Sequence, residues 1–147
     1  MNYPQYLNQK LTLSFVFCML IVCCSLAPLY GQFTNGQNAD QVIGQPDLTS
    51  NTANNGGVSA SSLNNLVHNA AVDLANNKIY VADRGNNRVL RYVYPFVGNQ
   101  PAAEAVFGQP DFTSNTGGVS ASIMRGPSKV TVDADGRLWV VDAINNR

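Results

Sequence analysis

One passage of this chain occurs twice, in register, and that limits its fold more than any other feature. Val42-Ile43-Gly44-Gln45-Pro46-Asp47-Leu48-Thr49-Ser50-Asn51-Thr52 returns as Val106-Phe107-Gly108-Gln109-Pro110-Asp111-Phe112-Thr113-Ser114-Asn115-Thr116. Gly56-Gly57-Val58-Ser59-Ala60-Ser61 returns as Gly117-Gly118-Val119-Ser120-Ala121-Ser122. Ala70-Ala71-Val72-Asp73 returns as Val130-Thr131-Val132-Asp133. Ile79-Tyr80-Val81-Ala82-Asp83, followed by Asn87-Arg88, returns as Leu138-Trp139-Val140-Val141-Asp142, followed by Asn146-Arg147. The period is about 60 residues, of which about 20 form a loop.

Each copy reads as short β-branched runs parted by turn formers. Asn76-Asn77 and Asp135-Gly136 sit where a hairpin must reverse. In the strand around residues 78–83, Ile79 and Val81 fall on one face, and Tyr80 and Ala82 on the other. Both faces are apolar, so the strand is predicted to be covered on both sides. Further strands are expected over 40–44, 70–73, 88–94 and 103–108. Pro46 and Pro110 lack an N–H and end a ladder. Four short strands per unit in up-and-down order, with both faces apolar, describe a blade of a β-propeller. Innermost strands need small side chains where blades converge, and Ala70, Ala71 and Thr131 suit that place.

The twice-used pattern Val-Asp, then Lys or Arg, an aliphatic-aromatic pair, Val, and Asp-x3-Asn-Arg resembles the NHL repeat of six-bladed β-propellers. Asp73, Tyr80, Val81, Asp83, Asn87 and Arg88 carry it in the first copy, and Asp133, Trp139, Val140, Asp142, Asn146 and Arg147 in the second. Gly85 is replaced by Ile144 in the second copy, and the long Gly-Gln-Pro-Asp loop resembles an elaborated bacterial form. The resemblance implies an all-β fold with less than two four-stranded blades over residues 40–147. Residues 40–45 would be a closing strand, 69–108 the first full blade, and 128–147 the start of a second. The repeat breaks off at Arg147, where a third strand should begin, and this predicts a piece of a longer propeller whose remaining blades follow.

The N-terminus carries a different signal. A polar segment with Lys10 precedes an apolar run over 11–26 and then Ala27-Pro28-Leu29-Tyr30-Gly31. This predicts a secretory signal peptide over residues 1–31, cleaved after Gly31, followed by a linker over 32–39. An uncleaved anchor is the competing reading, because the run with its flank nears the ~20 residues of a membrane span. Cleavage leaves no stable membrane span and places the product outside the cytoplasm, secreted or on the cell surface. Cys18, Cys23 and Cys24 all lie in that apolar run, so the remaining chain has neither a disulfide framework nor a thiolate metal site.

Charge excludes one class of partner. Only 12% of residues are charged and the formal net charge is zero, with no basic stripe, so nucleic acid is not an expected ligand. The Asp83-x3-Asn87-Arg88 and Asp142-x3-Asn146-Arg147 groups recur in both units and read as scaffold, a turn carboxylate forked by an arginine. Asp47 and Asp111 read as Asx turns after proline rather than as calcium ligands, which come in sets of six to eight oxygens. His68, the only histidine, precedes the innermost strand and has Ser128 as counterpart. It has no visible catalytic partner. The loops over 48–65 and 112–125 are the better candidates for recognition, gathered with residues 84–87 on one side. No catalytic residue, metal ligand or cofactor is assigned. The expected function is a binding or scaffold module for a protein or glycan on the loop face. The alternative is a metal-dependent propeller hydrolase or lyase whose active-site residues lie in blades outside this chain. A structural protein of the cell wall or matrix, with the propeller as one module, is a third reading.

Overall fold

The computed structural model describes residues 34–147, of which 38–147 form one unit. The expected signal segment, 1–31, lies outside the described residues. Six strands follow in order: β1 (Val67–Asp73), β2 (Lys78–Asp83), β3 (Arg88–Val93), β4 (Ala105–Phe107), β5 (Pro127–Val132) and β6 (Leu138–Asp142). The first four make one antiparallel sheet in sequence order, and β5 and β6 make a second, two-stranded one. This is the all-β, up-and-down arrangement that the repeat predicts: one complete blade and the first hairpin of the next.

Turn chemistry sets the register. Asn77 takes φ +54° and Gly136 φ +79°, so both hairpins reverse on left-handed residues. Asp73 caps its hairpin by accepting the Asn76 N–H at 3.1 Å, and Asp133 accepts the N–H groups of Asp135 and Arg137. Pairing then runs Val72↔Ile79 and Ala70↔Val81 in the first unit, and Val132↔Leu138 and Val130↔Val140 in the second. Both innermost strands carry an irregularity at the same place, between Val67 and Asn69 and between Pro127 and Lys129. The repeat therefore extends to the backbone defects.

Two apolar layers lie on either side of the first sheet. Tyr80, Ala82 and Val89 face the second sheet and meet Val130, with Phe107, Met124, Val132, Leu138 and Val140 around them. Val81, Leu90 and Tyr92 form the other face with Ala103, and Ile43, Leu63, Phe96, Val106 and Phe112 cover it. The two apolar faces expected of β2 are thus each buried. Asn69 Oδ1 also accepts the Val130 N–H at 2.9 Å, so the two innermost strands are bonded across the interface.

Two strand boundaries differ from expectation. Residues 40–45 are expected to close a blade whose other strands lie outside this chain, and here they run through bends with no ladder. Val42 instead donates its N–H to Asn99 Oδ1 and accepts the Gln100 N–H, and Ile43 lies over the Val81 face. β1 starts at Val67, earlier than residue 70, and includes His68. β4 shrinks to Ala105–Phe107, because Gly108 turns the chain at φ +83°.

Candidate functional site

The β2–β3 turn is a short 3-10 turn, Arg84–Asn86, closed by Asn87 in the left-handed conformation. It brings Asp83 and Arg88 to adjacent positions at the end of the hairpin, with Asp83↔Arg88 as a ladder pair. Both side chains are fully buried, and Arg88 Nε donates to Asp83 Oδ2 at 2.8 Å. Asn86 Nδ2 donates to the same oxygen at 2.8 Å, and Asp83 Oδ1 accepts the Asn64 N–H at 3.0 Å. The remaining guanidinium nitrogens reach outward. Nη2 donates to the carbonyls of Ser59 and Ser62, and Nη1 to that of Phe112. One buried ion pair therefore holds both long loops against the blade. Its charges are satisfied on every side, which a buried pair requires.

The second unit builds the same clamp. Arg147 Nε donates to Asp142 Oδ2 at 2.9 Å, Asn145 joins at 2.8 Å, and Asp142 Oδ1 accepts the Arg125 N–H. Arg147 Nη2 bonds the carbonyls of Ser120 and Ile123, the counterparts of Ser59 and Ser62. Burial works against ionisation of Asp142, but these donors outweigh it and hold the carboxyl below its ordinary range. The asparagine in each clamp is Asn86 or Asn145, one position before the residue singled out from the motif. Asn87 does other work: its amide donates to the Asn115 carbonyl and its Oδ1 accepts the Gly126 N–H, tying the second loop to the first turn. The signal for this was the Asn-Asn doublet itself, one residue serving the clamp and the next supplying a left-handed φ.

A glycine permits a close approach at this turn in each copy, but at a different position. A Cβ at Gly85 would run into the Asn64 side chain. In the second unit Ile144 stands at that position and its side chain lies over Gly126, where a Cβ would meet Ile144 Cδ1 at 2.6 Å.

The Gly-Gln-Pro-Asp segments are turn devices, as their composition predicts. Asp47 Oδ1 accepts the N–H groups of Thr49 and Ser50 and the Thr49 hydroxyl. Asp111 does the same with Thr113 and Ser114. Hydrogen bonds to the charged form, led by the threonine hydroxyl in each case, lower both carboxyls from their ordinary value of 3.8 to about 2. Gln45 and Gln109 span their own loops, donating to the carbonyls of Thr52 and Thr116. The first loop contains three extra residues, Ala53-Asn54-Asn55, which open a 3-10 turn, Ala53–Gly56. Asn54 and Asn86 exchange two amide hydrogen bonds there. The second loop lacks the insertion and leaves a cleft of about 330 Å³ lined by Gln109, Ser114, Thr116, Gly117, Gly118 and Ile123.

The loops over 48–65 and 112–125 thus gather around the β2–β3 turn, as the repeat predicts, with Leu48 and Val119 exposed at their surfaces. His68 stands apart from them as an exposed residue of β1, and Ser128 is half-buried in β5. Among the described residues no group of three His, Cys, Asp or Glu side chains is placed to hold a metal ion, and no helix is long and apolar enough to cross a membrane.

A four-stranded up-and-down blade packed face to face on the hairpin of a second, with loops clamped at one end, is the architecture of an incomplete β-propeller. Residues 64–92, spanning β1 to most of β3, match the NHL repeat family, so the chain carries an NHL repeat. No curated protein matches the chain.

Proposed function

We propose that this chain is an extracytoplasmic β-propeller module that binds a protein partner through its two long loops. One observation carries the reading: a fully buried ion pair fixes loops whose outer apolar residues remain exposed. Arg88 bonds three loop carbonyls, yet Leu48 is 51% and Val119 76% exposed. A rigid scaffold that presents ordered loops lowers the entropy cost of recognition. NHL-repeat propellers commonly act as protein-interaction modules, which agrees with this use. Export rests on the basic, apolar and small-residue order of residues 1–31.

The test uses the full chain, expressed with its own N-terminus. An exported product beginning at Gln32 supports cleavage after Gly31. That product is then screened against displayed extracellular proteins and a glycan array. Saturable binding to a protein, weakened at least tenfold by Val119→Glu or Leu48→Glu and unchanged by Leu74→Glu at the opposite end of the blade, supports the reading. The tenfold criterion corresponds to about 1.4 kcal/mol. Retention in the cytoplasm, binding confined to glycans, or equal loss from Leu74→Glu overturns it.

A further inference from the structure

Charges that are interspersed in sign along the chain are mostly paired off in the fold. Lys78 and Arg91 share Glu104, Arg88 holds Asp83, Arg147 holds Asp142, and Arg137 reaches Asp133 and Asp135. Arg84, Arg125 and Lys129 have no ion-pair partner among the described residues. Of the carboxylates also left without a cation there, Asp73 sits at the hairpin end of its blade, and Asp47 and Asp111 accept from donors of their own turns. The structure therefore sorts the charges in a way that their order in the sequence does not show.

Arg84 and Arg125 meet at one junction. Arg84 opens the β2–β3 turn of the first unit, and Arg125 ends the second loop just before β5. Between them Asn87 Oδ1 accepts the Gly126 N–H at 2.9 Å. The Arg125 side chain runs beside that turn: a Cβ at Gly117 would meet Arg125 Cγ at 2.9 Å and Asn87 Cγ at 3.2 Å. In the first unit Asn64 takes the place of Arg125, since the N–H of each bonds its clamp aspartate. There Gly56, the counterpart of Gly117, has open space around it. Gly117 thus makes room for this one arginine. Arg125 is exposed and Arg84 half-buried. Both sides of the junction belong to this chain, the turn of the first unit on one side and the loop of the second on the other.

We propose that this junction binds the carboxylate side chains of an acidic protein segment. Two guanidinium groups flank one fixed bond, and a guanidinium fork matches a carboxylate in shape as well as in charge. Arg125 belongs to the second loop, so the charged contact is part of the loop face. That the segment comes from a protein rests on the loop-face reading; the anion site itself rests on the two arginines.

The probe is a synthetic tetraglutamate peptide with blocked ends, added to the full chain at about 150 mM salt, where only close charge contacts escape screening. Tetraglutamine is its neutral control. NMR follows the arginine Nε–H resonances and the Gly126 amide. The expected result is saturable shifts with tetraglutamate and none with tetraglutamine. Arg84→Gln and Arg125→Gln each weaken binding about threefold, as removal of an exposed charge contact does. Arg137→Gln, at the hairpin end, leaves it unchanged. No saturable shift, or equal weakening by Arg137→Gln, overturns the proposal. Tighter binding of inorganic phosphate or of tetragalacturonate overturns it in favour of a free anion or an acidic glycan. Tetraglutamate binding alongside a failed partner screen removes the loop-face reading and leaves this site standing, and the reverse result removes this site alone.

Discussion

Asp83 and Arg88 exert their influence through complete burial. Their counterparts Asp142 and Arg147 make the same bonds, but the Arg147 side chain is 43% exposed. The two pairs are chemically alike and energetically unequal. Removing one partner of a buried pair strands the other charge, whereas water reaches Arg147 even though its partner Asp142 is buried. Arg88→Leu is expected to lower unfolding free energy by about 3–5 kcal/mol, and Arg147→Leu by less than Arg88→Leu, because Asp142 keeps the Arg125 N–H and the Asn145 amide as donors. Urea denaturation midpoints at constant m-value check both, and equal costs would contradict the clamp as described. Acid acts on the exposed carboxylates differently. Asp47 and Asp111 have folded values near 2, below their ordinary value of 3.8. A depressed folded pKa means that the turn's stabilisation is complete above the unfolded value and is lost as pH falls through the folded one. The turns at Asp47–Thr49 and Asp111–Thr113 are therefore expected to hold at pH 5 and to open between about pH 4 and pH 2. Carboxyl chemical shifts followed by NMR measure this directly, and midpoints near 4 would refute the turn hydrogen bonds.

At the scale of elements, the Gly-Gln-Pro-Asp segments each turn the chain into its loop through a glycine that cannot be replaced cheaply. Gly44 and Gly108 take φ +85° and +83°, and a Cβ there would meet Leu63 at 2.8 Å and Met124 at 2.6 Å. Gly56 has φ +94° but open space around it. Gly108→Ala is expected to cost more than about 1 kcal/mol, and Gly56→Ala less than Gly108→Ala, since only the first adds a collision to the backbone strain. Thermal unfolding of the two variants ranks them, and the reverse order would show that packing against Met124 is slack. Much of this element is legible in the sequence. Gln-Pro-Asp followed by Thr-Ser spells a proline stop and an Asx turn from local bonds alone. Which strand residues 40–45 would pair with is not legible there, because a strand exists only with a neighbour, and β propensity in Val42 and Ile43 cannot specify one.

At the scale of the whole molecule, the two sheets meet through Tyr80, Ala82, Val89 and Val130 and through the Asn69–Val130 bond. Val130 is 3% exposed and supplies the second sheet's buried contact with that layer. Val130→Ala removes two carbon groups from the interface, worth about 1.6 kcal/mol before any cavity term. The loss is expected to fall on the smaller partner. Amide exchange should accelerate in β5 and β6 while β1–β3 keep their protection, as in a repeat array whose units are stabilised by nearest neighbours. Uniform acceleration across both sheets would show a single cooperative unit instead.

What the sequence determined by itself is whatever repeats or closes locally: the all-β class, the blade unit, the hairpins at Asn77 and Gly136, and the capping of Asp47 and Asp111. Each depends on residues a few positions apart, so spacing and side-chain type are enough. Tertiary structure alone decided that Asn86 and not Asn87 completes the clamp, that Arg88 reaches carbonyls of both long loops, and that Gly85 lies against Asn64. It also decided that Trp139 stands exposed while Tyr80 is buried. These outcomes join residues dozens of positions apart, or depend on which sheet lies against which face, and a linear pattern carries neither kind of information.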